Sequence, residues 1–266
     1  MSWLVKTLSS SIGKKVLMSL TGLFLCSFLI IHLVGNLQLF KSDGGYAFNV
    51  YAVFMTTFPV IKVVSYLLYG SIIFHAVWGI YLEIKNRQAR PTRYAVVKNS
   101  SSWASRNMAI LGTILLVYIA VHMNDFWWKY KQGNLPFKMY AEDMRTGKQM
   151  DGYPKDMPKT FVLNKKMEET VDFQQGVKIT IVKDLYTVVQ EGFKNIFLVI
   201  FYVLSMVAVS YHLIHGFQSA FQTLGINHKK YTPLIRFLGV WGFGVLIPLG
   251  FAVMPIFFYL KSLNVL

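Results

Sequence analysis

Five runs without a single charged residue dominate this chain: 16–40, 63–82, 107–124, 195–225 and 237–260. A helix needs roughly 20 apolar residues to cross hydrocarbon about 30 Å thick, and backbone there must satisfy its own hydrogen bonds. The runs therefore predict an all-α membrane protein, a bundle of five transmembrane helices. The composition agrees, with 54% hydrophobic and only 15% charged residues in a chain of 266. A soluble domain carries about 25% charged residues. The first run is too long, and lacks the small-residue exit, of a cleavable signal peptide. Pro248 and Pro255 predict kinks in the fifth helix.

The net charge of +15 would suggest nucleic acid in a soluble protein, but its placement along the chain excludes that reading. With five crossings, residues 1–15, 83–106 and 226–236 share one side and carry +3, +5 and +3. The opposite side holds 41–62, 125–194 and Lys261 at +1, +2 and +1. Basic residues favour the cytoplasm, which predicts a cytoplasmic N-terminus, an outer C-terminus and one large outward loop, 125–194. Within that loop Pro136, Pro154 and Pro158 argue against continuous helix. Residues 176–182 alternate as a short strand, and 186–194 read as an interfacial helix. The location implied is a bacterial cytoplasmic (inner) membrane, crossed several times, with lipid around the helices.

Chemistry enters through histidine. Five of the six histidines lie in the runs: His32, His75, His122, and the pair His212 and His215. An ionisable group inside hydrocarbon is costly and needs a partner. One such histidine is as well explained by an interhelical hydrogen bond as by a ligand role; four helices each carrying one at similar depth are not. His32, His75, His122 and His212 lie 12 to 17 residues from the start of their runs, roughly 22 Å of helix on average. Alternating helix direction then puts His32 and His122 in an outer layer and His75 and His212 in an inner one, roughly 15 Å apart. Gly79 and Gly216 each follow an inner histidine by four residues, one turn on, leaving room for a flat macrocycle. Close helix packing is the other reading of the two glycines.

Facing neutral imidazoles suit the axial positions of haem iron. The single cysteine, Cys26, rules out a C-x-x-C-H attachment, an iron–sulfur cluster and a cysteine zinc site. The expectation is two haem b groups, bis-histidine ligated and suited to electron transfer, held by His32 with His122 and by His75 with His212. His215, three residues from His212, is an alternative ligand or a neighbour of a propionate or quinone. Propionate partners on the cytoplasmic side are Ser11 and Arg106, then Lys14, Lys15, Trp103 and Gln218.

These features carry a family resemblance. Ser10-Ser-Ile-Gly-Lys-Lys15 precedes the first helix, and Thr21-Gly-Leu and His32-Leu-Val-Gly-Asn-Leu37 lie within it. Tyr211-His-Leu-Ile-His-Gly-Phe-Gln-Ser219 and Phe221-Gln-Thr-Leu-Gly-Ile226 follow in the fourth. In this order, on five spans, they resemble the dihaem cytochrome b membrane subunit of succinate dehydrogenases and fumarate reductases. The resemblance covers the membrane part and leaves out 125–194. It implies the same four ligands, a flavoprotein and an iron–sulfur subunit docked on the cytoplasmic face, and exchange with a quinone, menaquinone in the fumarate reductases. The succinate site would lie in a partner, since this chain has no flavin motif. Some dihaem fumarate reductases carry a glutamate two residues before the helix-four ligand; here that position is Ser210, and the five runs hold no carboxylate. Asp43, Glu83 and Asp125 at the edges are boundary residues or partners for a quinone headgroup. A b-type subunit of a hydrogenase or formate dehydrogenase shares the histidine pattern. A transporter using buried histidines is the reading from a different class.

Overall fold

The computed structural model describes residues 3–89, 102–132, 135–150, 156–158, 161 and 163–265. Residues 90–101, within the basic connection 83–106, and Pro154 lie outside the described residues. Five helical stretches are long and apolar enough to cross a membrane: Ser11–Phe40, Pro59–Gln88, Met108–Gln132, Ile196–Thr223 and Thr232–Ser262. They are called the first to fifth spans below. Four of the five outrun the uncharged segments that predict them, because a helix does not stop where charge begins. Lysine and arginine near a helix end lay their stems along the apolar flank and carry the head to water. The second span shows this, with Lys62 near its start and Glu83, Lys85 and Arg87 near its end. Arg87 pairs with Glu83 at 2.6 Å, one turn apart. Thirty residues make about 45 Å of helix, enough for the hydrocarbon and both headgroup layers. Tyr66, Leu67, Ile73, Val77 and Ile80 stand exposed on this helix, an apolar flank that suits lipid.

The chain divides into two compact units. The first comprises Met1–Leu33, Ser65–Ala120 and Val199–Phe257. Its core joins Cys26, Met206, Val209, Leu213, Phe217, Phe243 and Ile247. The fourth span supplies most of it, and Phe217 stacks on Phe243 with centroids 4.5 Å apart. The fifth span begins as α-helix, passes into a π-helical stretch, Leu238–Leu246, and returns to α-helix at Ile247, one residue before Pro248. Glycine makes the close packing here possible. A side chain at Gly244 would run into Ile214, and one at Gly250 would come within 2.9 Å of Leu33.

The second unit comprises Val34–Val64, Val121–Leu198 and Phe258–Leu266. It corrects the all-α expectation, because the segment after the third span holds a three-stranded antiparallel sheet. The strands are β1 (Phe137–Asp143), β2 (Met167–Asp172) and β3 (Val177–Lys183), in the order β1-β3-β2. β3 is the strand that the alternation of 176–182 predicts, and Tyr186–Gly192 is the expected short helix. Residues 41–62, to which the sequence pattern assigns no element, contain a helix, Tyr46–Thr57. Asp43 starts it by accepting hydrogen bonds from the Gly45 and Ala47 amides, both at 3.0 Å. That cap gives Asp43 a structural role.

One buried side chain ties this unit together. Asn49, with no exposed surface, donates to Asp184 at 2.9 Å and to the Tyr140 hydroxyl at 3.2 Å. Its carbonyl accepts the amides of Leu185 and Tyr186, both at 2.9 Å. All the main hydrogen-bonding capacity of the amide is used. Burial first, and then the Asp184 charge, push the Tyr140 hydroxyl pKa up, so it stays protonated and donates to the Gly44 carbonyl at 3.1 Å. Asn49→Leu would strand two amides and a carboxylate, a loss on the order of 3 kcal/mol. It should lower the melting temperature in detergent and expose 135–198 to added protease; an unchanged melt would refute the role.

Candidate functional site

The first unit brings the inner histidines together. His75, on the second span, and His212, on the fourth, face each other with ring centroids 6.3 Å apart and planes at 65°. The separation is informative. An imidazole nitrogen binds a first-row metal ion at roughly 2.0–2.1 Å, so two rings on opposite sides of one ion have centroids about 6 Å apart. An edge-to-face contact between two rings spans the same range, so the spacing admits an ion without requiring one.

His75 is held from behind. The Thr21 hydroxyl, on the first span, lies 3.1 Å from Nδ1 and donates to the Leu17 carbonyl at 3.0 Å. With its proton on a carbonyl of its own helix, the Thr21 oxygen would accept Nδ1–H, and that tautomer would leave the Nε2 lone pair available. Next in sequence, Gly22 makes room for the ring, since a side chain there would come within 3.3 Å of His75 Cε1. Beside His212, a side chain at Gly112 would meet Cε1 at 3.8 Å, an ordinary contact. His212 Nδ1 is buried and has no hydrogen-bond partner among the described residues. In a protein interior such an atom calls for a ligand, an ion or a water.

Gly79 and Gly216 adjoin methionine tips, Met18 Cε and Met108 Cε, at 3.2 and 3.8 Å from where a side chain would begin. Methionine is unbranched and adaptable, so the walls on these two sides are the soft ones. Thr21, Gly22 and Gly112 were not singled out as site residues by sequence. Their signal, a hydroxyl or glycine at matching depth on a neighbouring helix, can be read only once the helices are paired.

The other candidates are distributed more widely. His32 belongs to the first unit and stacks on Phe28 at 5.1 Å, with Phe251 tilted against it at 5.5 Å. His122 belongs to the second unit and meets Phe126 edge-on at 5.4 Å. His215 is half-buried and makes no hydrogen bond or ring contact among the described residues. Ser11 is exposed in the first turn of the first span, and Arg106 is exposed at the end of a short helix, Trp103–Arg106, capped by Ser102. Trp103 packs on Tyr211, one residue before His212, at 5.3 Å. Lys15 is exposed, while Lys14 lies 3.4 Å from the Tyr81 hydroxyl and lends its carbonyl to Trp78 Nε1 at 3.1 Å. Gln218 lies against Gly239.

Ser210 donates to the Gly244 carbonyl in the π-helical stretch, so this hydroxyl is part of helix packing. With the longer helices, Glu83 and Asp125 fall inside spans, close to their ends. Glu83 is accounted for by Arg87. Comparison of the chain with models of protein families, with curated proteins and with solved structures finds no match.

Thr21→Val keeps the shape at that position and removes the hydroxyl. It should cost about 1 kcal/mol of stability, and the nitrogen chemical shifts of His75 should move towards a mixture of tautomers. Unaltered shifts would show that Thr21 does not orient the ring.

Proposed function

We propose that this chain is the haem b membrane subunit of a succinate:quinone oxidoreductase. In this reading it anchors a flavoprotein and an iron–sulfur subunit and carries electrons between them and a quinone, most naturally menaquinone. The observation that carries the reading is the His75–His212 pair, spaced for one ion between the rings and backed on one side by Thr21.

The residues present fit a bis-histidine haem at the inner layer. His75 and His212 would hold it, with Gly22 giving clearance beside the His75 ring. A haem held there would supply a one-electron couple suited to passing electrons on. The protein's own part is to fix two neutral imidazoles. Thr21 sets the tautomer of His75, and apolar packing around Leu213 and Phe217 keeps water from the fourth span. His32 and His122 would hold a second haem b nearer the other face, a pairing supported by their depth in the sequence. His215, Ser11 and Arg106 are proposed neighbours of the inner haem's edge and propionates.

The basic balance of residues 1–15, 83–106 and 226–236 supports a cytoplasmic placement for that side, in a bacterial inner membrane. It also suits docking of a partner with acidic surface. Succinate chemistry would belong to the flavoprotein, so direction follows the quinone and the partner.

The test uses single His32→Ala, His75→Ala, His122→Ala and His212→Ala variants in membranes, read by reduced-minus-oxidised spectra and haem stoichiometry. Two b haems in the parent chain and loss of haem in each variant are expected, with Ala at position 32 or 122 sparing the inner haem. Full haem content in all four variants overturns the ligand set. Copurifying nickel or molybdenum in place of flavin would move the chain to a hydrogenase or formate dehydrogenase. A purified chain without haem absorbance would leave the transporter reading.

A further inference from the structure

The sheet of the second unit has two edges, β1 and β2, and among the described residues the chain closes only the first. Along β1, backbone groups that point away from β3 are taken up by the segment that follows. The Phe137 carbonyl accepts the Met157 amide at 3.1 Å, and the Ala141 carbonyl accepts the Met150 amide at 2.8 Å. The Asp143 amide donates to the Lys148 carbonyl at 2.9 Å. Asp156 and Gln149 complete the cover as bridges to Lys138 and Glu142.

The other edge is open. The Lys183 amide donates to the Lys166 carbonyl at 2.9 Å, which fixes the phase of the β2–β3 ladder. Opposite residues in an antiparallel pair alternate between bonded and non-bonded. Counting on from Lys166, Glu168, Thr170 and Asp172 therefore turn their backbone groups to Ile181, Ile179 and Val177. Met167, Glu169 and Val171 turn theirs away from the sheet, where no backbone partner meets them among the described residues. Glu168, Glu169 and Thr170 are exposed, so the middle of this edge is accessible. Such a row of backbone donors and acceptors is ready to pair with another strand.

Charge decides which strand. The chain carries +15, yet β2 holds Glu168, Glu169 and Asp172 and no basic residue. Glu169 is shared with Lys178 at 2.7 Å, and Asp172 accepts the Gln174 and Gln175 amides of the next turn. Glu168 has no ion pair among the described residues. A second copy of the chain fits poorly, because antiparallel two-fold pairing centred on Glu169 sets that carboxylate against its own copy. Just past the strand, Phe173 is 85% exposed, an uncovered aromatic ring of the kind that interfaces bury.

We propose that the open edge of β2 is a docking site for an extended segment of a partner protein, one that alternates basic and apolar residues and joins the sheet as a fourth strand. Its backbone pairs with Met167, Glu169 and Val171. Side chains alternate between faces along a strand, so its cations lie beside Glu168 and Asp172 and its apolar residues beside Met167 and Val171. Main-chain bonds supply affinity, and the alternation supplies choice. The site is independent of the histidines.

The test uses the full chain, with any subunits that copurify, in nanodiscs of phosphatidylcholine, a lipid without net charge to attract a basic peptide. The probe is a fluorescent hexapeptide alternating lysine and valine, read by anisotropy. It should bind, and a counterpart alternating glutamate and valine should bind roughly tenfold more weakly. Glu168→Lys, at an exposed position, should weaken binding of the lysine peptide roughly fivefold and leave the melting temperature unchanged. The lysine peptide with every backbone nitrogen methylated keeps its charge but loses its donors, and should not bind. Hydrogen exchange gives a second reading: the lysine peptide should slow the amides of Met167, Glu169 and Val171 and leave those of Glu168 and Thr170 as they are. Absence of binding, equal binding of the lysine and glutamate peptides, parent-like binding in Glu168→Lys, or full binding of the methylated peptide overturns the proposal. A dimer of the chain that the lysine peptide dissociates, seen by native mass spectrometry, would assign the edge to a second copy and overturns the basic partner.

Discussion

A polar group in hydrocarbon has no water to turn to, and the placement of the side chains in the spans follows from that. Hydroxyls bond back to their own helix: Ser19 to the Lys15 carbonyl at 2.9 Å, Ser27 to Phe24 at 2.7 Å, Thr113 to Ala109 at 2.9 Å and Ser205 to Phe201 at 2.7 Å. Each hydroxyl is thereby satisfied without a partner helix. Two depart from the habit, and both mark something. Thr21 keeps its helical bond and also reaches His75; Ser210 bonds across to the fifth span, where the π-helical stretch puts a carbonyl within reach. His212 departs furthest, with a buried nitrogen that bonds to nothing among the described residues. That concentration of exceptions around the inner histidines is the physical reason to look for a ligand there.

The spans themselves were legible in the sequence because the bilayer imposes length and polarity on a continuous stretch of chain. Their ends were less so. Lysine and arginine extend helices past the uncharged segment, as at Lys62 and Arg87, where the criterion of zero charge stops too soon. The depth of His75 and His212 could be counted along one dimension, and it brought together the two residues whose rings do meet. Thr21, Gly22 and Gly112 could not be found that way, since their meaning depends on which helix faces which. Gly79 and Gly216 could be, but their neighbours are methionines, which no offset along a helix foretells.

The segment after the third span shows the opposite balance. The alternation in Val177–Lys183 was readable from Val177, Ile179 and Ile181 at every second position, although the strand is covered on both faces and buries Thr180 and Val182 more fully than either isoleucine. β1 and β2 were not, since Phe137–Asp143 and Met167–Asp172 mix charge with apolar residues and owe their extended form to pairing with β3. The helix Tyr46–Thr57 was hidden by its setting between two stronger signals. Asn49 gave no sign at all, because a lone asparagine in a connecting stretch carries no pattern until its four partners are known.

Asn49 and Asp184 are 135 positions apart, about half the chain. Synthesis runs in one direction, so the asparagine leaves the ribosome long before the carboxylate and amides that will satisfy it. The second and third spans and most of the segment after them must be made in the meantime. Until then Asn49 on the helix Tyr46–Thr57 lacks the partners that satisfy it, and the sheet joins it late. Completion of the second unit is in this sense a late act, timed by chain length.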